Sequence, residues 1–143
     1  MSYKAAAKMR PILCLLGITS DTSLSSGDPV PWVLNSGTSG HGITTSSGIV
    51  TLTSGYHWFA QSQVCATTLT ATDLNWYVNN SASTLFQETG IKIITQPTTS
   101  SSNLVAHCYI DASTSTVDLE LRTTNAITAE AITCSMLLIG YPT

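Results

Sequence analysis

Beyond residue 10 the apolar residues of this chain recur with a period of two, and that period restricts the chain to strands. Between residues 56 and 66, Tyr56, Trp58, Ala60, Ser62, Val64 and Ala66 fall on one side of an extended backbone. His57, Phe59, Gln61, Gln63 and Cys65 fall on the other. Leu74, Trp76 and Val78 alternate with Asp73, Asn75 and Asn79, and Leu104, Ala106, Cys108 and Ile110 share a face. Val117, Leu119 and Leu121 are expected to face in, with Asp118, Glu120 and Arg122 facing water. Shorter strands are expected at 32–34, 49–52 and 91–96, the last ended by Pro97. Ser/Gly/Pro-rich loops are expected at 20–31 and 36–42, with turns at Ser54-Gly55 and Asn79-Asn80-Ser81. Only residues 3–10 have helix-forming composition, and so short a helix does not hold alone in water. About eight to ten short strands with no helix and no fixed repeat imply a two-sheet antiparallel sandwich or a barrel.

The last stretch, 131–141, is apolar on both faces over Met136, Leu137, Leu138 and Ile139. Such a strand sits inside its sheet, with the core on one side and a second cover on the other. The expected cover is another subunit, through Met136, Leu137, Ile139 and Tyr141.

Charge is scarce and unevenly placed. Only 9% of the residues are charged, against about 25% in ordinary globular chains, and Ser and Thr take the vacant surface. Three of the five basic residues, Lys4, Lys8 and Arg10, fall in the first ten, where there is no acid. That arm carries +3, and the two other cations against eight acids leave −6 on the rest. A body without a basic face is not built for nucleic acid, whereas the arm suits an acidic surface.

The arm leads into Ile12-Leu13-Cys14-Leu15-Leu16-Gly17-Ile18, which imitates a secretory leader. Pro11 opens the run, no A-x-A-like site follows it, and it falls well short of the roughly 18–20 residues that span a bilayer. It is expected to be a first strand, giving an arm-plus-strand segment at 1–18 and a sandwich domain at 19–143. The four cysteines, Cys14, Cys65, Cys108 and Cys134, have no metal-ligand spacing. They are expected to be buried free thiols, with an interstrand disulfide as the alternative.

From about residue 30 onward the segment order resembles the tumour-necrosis-factor-like jelly roll, shared with complement-type heads. A Gly-aromatic turn opens a long strand at Ser54-Gly55-Tyr56-His57-Trp58-Phe59. A strand and turn follow at Leu74-Asn75-Trp76-Tyr77-Val78-Asn79-Asn80, then Val117-Asp118-Leu119-Glu120-Leu121. The chain closes on Cys134-Ser135-Met136-Leu137-Leu138-Ile139-Gly140-Tyr141, and Thr123-Thr124-Asn125 replaces the usual Gly-Asp turn. With its short arm and Ser/Thr-rich strands the chain is also similar to the trimeric decoration (cement) proteins of tailed bacteriophage capsids.

Enzymatic chemistry finds no foothold. His41, His57 and His107 have no HExxH or i,i+4 pairing, although His57 and His107 could meet across a threefold axis. Asp73, Asp111, Asp118, Glu120 and Glu130 are scattered, without the cleft that paired carboxylates need. Asn79-Asn80-Ser81 matches a glycosylation pattern of the kind a Ser/Thr-rich chain produces by chance. Trp58 and Trp76 are expected in the core, and Trp32, beside Pro29 and Pro31, at an interface.

The resemblance therefore implies a structural virion protein on the capsid exterior: a homotrimer that clamps the major capsid protein, with Lys4, Lys8 and Arg10 reaching its acids. No cofactor, metal, nucleic acid or membrane is expected. A receptor- or glycan-binding fibre tip, or a secreted complement-like head, is the alternative. It predicts an upstream stalk, whereas the sequence opens at Met1 on the arm.

Overall fold

The computed structural model describes residues 10–35, 42–67, 74–79, 81–82, 90–91, 102–131 and 134–143. Among them there is no helix, and thirteen strands form two antiparallel sheets, the jelly-roll sandwich expected. The eight-stranded sheet holds β1 (Ile12–Gly17), β2 (Thr22–Leu24), β3 (Val33–Leu34), β6 (Tyr56–Thr67), β9 (Gly90–Ile91), β10 (Ser102–Ala112), β12 (Ile127–Ala129) and β13 (Ser135–Pro142). The five-stranded sheet runs β4 (Thr44–Ser46), β5 (Ile49–Leu52), β11 (Val117–Thr123), β7 (Leu74–Val78), β8 (Ser81–Ala82).

β6 organises the large sheet. Its twelve residues contain no Gly or Pro, so nothing interrupts the ladder. One edge pairs with β10 from Tyr56–Ala112 to Ala66–Ser102. The other edge is shared: β13 takes Tyr56 to Gln63, and β12 takes Ala66 and Thr67. β1 lies on the far side of β13 and β3 beyond it. Residues 12–17 are thus an internal strand of the large sheet and not part of an extended arm.

Alternation sends one face of each strand between the sheets. Trp58, Ala60, Ser62, Val64 and Ala66 of β6 are buried there, with Cys14, Leu16, Met136, Leu138, Ala106, Cys108 and Ile110. Small residues beside β6 leave room for Leu74, Trp76, Leu119 and Leu121 from the facing sheet. The Trp76 indole N–H donates to the His107 carbonyl at 3.0 Å and ties β7 to β10. The Ser62 hydroxyl donates to the Ala106 carbonyl at 3.2 Å, which removes the cost of burying it.

Two glycines are dictated by geometry. Ser47 and Gly48, at φ 50° and 84°, close the β4–β5 hairpin with the paired left-handed residues of a type I′ turn. A Cβ on Gly48 would also stand 2.8 Å from Pro29. Gly140 faces Trp58 in the register, and its own Cβ would meet the indole at 2.8 Å. The ring lies across that glycine while its N–H donates to the Thr53 carbonyl at 3.1 Å.

Several expectations need correction. The loop expected at 20–31 contains β2, and its 27–30 stretch docks on β11 through Gly27 N–H to Thr123 O and Val30 N–H to Leu121 O. Trp32 is 1% exposed and belongs to the core, because alternation into β3 turns Val33 outward instead. Met136 is likewise 1% exposed, with Leu16 and Ser62 as register neighbours, so it is a core residue and not part of an intersubunit surface. The strand expected at 91–96 is described only over Gly90–Ile91.

Gly140→Val is expected to overpack the Trp58 ring and cost about 1–3 kcal/mol. Urea denaturation checks it: the midpoint should fall, and an unchanged midpoint would contradict this packing.

Candidate functional site

The face of the large sheet turned away from the core is the most distinctive surface of the described residues. Cross-strand register aligns its side chains in rows about 6.8 Å apart, two residues along each strand. One row is Leu13, Ile139, Phe59 and Tyr109, carried by β1, β13, β6 and β10. The next is Leu15, Leu137, Gln61 and His107, followed by Ser135, Gln63 and Val105. On the opposite flank lies Tyr141, His57 and Asp111. Leu13 is 59% exposed, Tyr141 54% and Tyr109 41%, and Leu137, Ile139 and Phe59 are half-buried. A contiguous apolar surface of this kind marks an interaction site. Between the lower rows lies a hollow of about 190 Å³ walled by Leu15, Leu137 and Val105, with Gln61, Gln63 and Ser135 supplying polar groups.

Of the expected interface residues, Leu137, Ile139 and Tyr141 are on this face. Leu13, Leu15, Phe59 and Tyr109 join them and were not singled out from sequence. β1 carried a usable signal, since it too is apolar at consecutive positions, Leu15 and Leu16. Of the arm, Arg10 is exposed just ahead of Pro11, and Lys4 and Lys8 lie outside the described residues.

Polar chemistry on the face gathers at one end. The Tyr109 hydroxyl is 2.6 Å from His57 Nδ1, and the two rings stack at 5.6 Å between centroids and 13° between planes. Asp111 Oδ1 is 3.7 Å from the same nitrogen. Hydrogen bonds from Ser113, helped by His57, hold the Asp111 carboxyl below its ordinary range. His107 is two rows away, edge-on to Phe59 at 5.9 Å, with its Nε2 buried and without a hydrogen-bond partner. The two histidines therefore share no site within one chain. Among the described residues no group of three or more His, Cys, Asp or Glu side chains is placed to hold a metal. His41 and Asp73 lie outside the described residues.

Asp118 and Glu120 are tied into the five-stranded sheet. Asp118 accepts from Thr51 Oγ1 at 2.7 Å. Glu120, expected in water, is only 7% exposed. Arg122 grips its two oxygens at 3.1 and 3.0 Å and lies 4.1 Å over the Tyr77 ring, so the carboxylate is buried as a compensated pair. All four cysteines are buried and none is in a disulfide. Burial pushes the Cys14 and Cys134 thiols up. Cys65 donates to Glu130 Oε2 at 3.6 Å, and Cys134 to the Cys65 carbonyl at 3.6 Å. What this face offers is a surface for binding.

No protein-family profile and no curated protein matches the sequence. Among solved structures the chain is similar to murine APRIL at pH 8.5, with a TM-score of 0.64 and 11% identity over 92% of this chain and 100% of that one. Murine APRIL at pH 8.0 gives 0.60 and 12% over the same shares. Eiger TNF from S. frugiperda gives 0.57 and 16%, over 92% of this chain and 94% of that one. The likeness is one of fold, and the fold is the tumour-necrosis-factor-like jelly roll.

Because burial disfavours their thiolates, Cys14 and Cys134 are expected to react with iodoacetamide at pH 8 at least about tenfold more slowly in the folded protein than in urea. Mass spectrometry of the alkylated peptides measures this. Equal rates would mean the thiols are open to solvent.

Proposed function

We propose that this chain is a non-enzymatic structural subunit that assembles into a homotrimer through the outward face of its large sheet and decorates the head shell of a tailed bacteriophage. The observation that carries the reading is the apolar face itself. Its rows from Leu13 to Val105 hold no acid, lysine or arginine, so an identical copy can approach without like-charge repulsion. Four strands about 4.8 Å apart and three rows about 6.8 Å apart give this patch roughly 400 Å² of flat area, on the scale of the apolar patches that mark interaction sites.

The basic arm supports the second half of the reading. An exposed ion pair from Lys4, Lys8 or Arg10 to an acid of the major capsid protein contributes only about 0.2–1 kcal/mol. A trimer presents three arms to one shell, and avidity multiplies weak contacts. A chain with 9% charged residues and abundant Ser and Thr suits close packing among neighbours on a shell.

Sedimentation equilibrium at micromolar concentration tests the assembly: the 15.1 kDa chain should give a species of about 45 kDa. Ile139→Asp should leave the chain folded and monomeric, and a wild-type chain found only as monomer would refute the trimer. Mass spectrometry of purified virions tests the location, with this chain expected in amounts stoichiometric with the major capsid protein. Recovery with tail fibres instead would make it a fibre tip.

A further inference from the structure

We propose that the stacked pair His57–Tyr109 is the anchor of self-association, His57 holding the Tyr109 ring in the pose in which it enters the hollow on a second copy. This rests on the homotrimer reading and specifies its decisive contact. Tyr109 ends the most apolar row of the outward face and is 41% exposed. An exposed tyrosine normally samples several rotamers and must be ordered when it binds. Here its hydroxyl is fixed 2.6 Å from His57 Nδ1 and its ring runs nearly parallel to the imidazole, 5.6 Å between centroids. The ordering is done before the partner arrives, and such pre-organised aromatic anchors dominate interfaces.

The phenol donates where His57 Nδ1 is bare, and a protonated Nδ1 donates to the phenol oxygen. The groups facing the ring are Tyr109 and Asp111 on β10 and Tyr141 on β13. A closed ring of three uses heterologous contacts, so each copy must offer both a knob and a hole on the surfaces that meet. Tyr109 is the knob. The hollow of about 190 Å³ between Leu15, Leu137 and Val105 is the hole, with Gln61, Gln63 and Ser135 able to hydrogen-bond a phenol oxygen.

Sedimentation of the full chain over a concentration series tests this, alongside thermal unfolding of each variant. The wild type should be a trimer. Tyr109→Ala should raise the concentration for half-assembly by at least about tenfold, and Gln63→Trp, which fills the hollow, should do the same. His57→Ala and Tyr109→Phe should each raise it about threefold, and the double variant by no more than either alone, because both remove one bond. Unfolding midpoints measured in dilute protein, where wild type and variants alike are monomeric, should stay unchanged, because assembly itself raises the midpoint. A trimeric wild type whose assembly is indifferent to Tyr109→Ala or His57→Ala would overturn the anchor and leave the trimer standing. A wild type that stays monomeric would overturn the trimer, and the anchor with it.

Discussion

Everything else in the molecule depends on the ladder β1–β13–β6–β10. Its two central strands, β13 and β6, are hydrogen-bonded on both edges, and both faces of the ladder carry apolar side chains. In a sheet with one wet face, hydrophobicity fixes the register, because a one-residue slip exposes the core set. That safeguard is weak here, since a slip in β13 would exchange Met136 and Leu138 for Leu137 and Ile139, apolar for apolar. The register is held instead by features that tolerate no exchange. The Trp58 indole needs the missing side chain of Gly140, and the Ser62 hydroxyl needs the Ala106 carbonyl. Trp76 must reach the His107 carbonyl from the facing sheet.

The same ladder explains why only one apolar face is spent within the chain. The five-stranded sheet covers the inner face with Trp76, Leu119 and Leu121, while Leu13, Leu15 and Tyr109 remain exposed on the other. Sharing a fold with murine APRIL and Eiger TNF does not assign a function, which lives in the surfaces a fold presents. Here the distinctive surface is an uncharged, self-compatible patch with one pre-organised aromatic. The buried acid Glu120 is neutralised by Arg122, and burial pushes the Cys14 and Cys134 thiols up.

Much of this was legible in sequence where alternation was clean. The faces of the residues in β6, β7 and β11 follow directly from period two, and the doubly apolar β13 was expected to be internal. The three-residue strands β2, β4 and β12 were not legible, because TSL, TTS and ITA resemble the surrounding Ser/Thr-rich loops. Trp32 and Met136 were misassigned for a shared reason: which face of a doubly apolar or proline-flanked segment turns inward depends on the neighbouring strand, not on its own residues. Glu120 was placed on the correct face, but Arg122 and Tyr77 cover it there. The His57–Tyr109 pair depends on the β6–β10 register across fifty-two residues of chain, information no local pattern contains.

The central claim is that the outward face of this ladder is covered by other copies of the chain. Hydroxyl-radical footprinting reads that directly, comparing labelling of Leu13, Tyr109 and Tyr141 in concentrated protein with labelling after dilution. The account predicts that Leu13 and Tyr109 are protected in the concentrated sample and become reactive on dilution, while the exposed Thr114 and Thr116 react alike in both. Equal labelling of Leu13 and Tyr109 at both concentrations, in protein that sediments as an oligomer, would contradict it and put the contact on another surface.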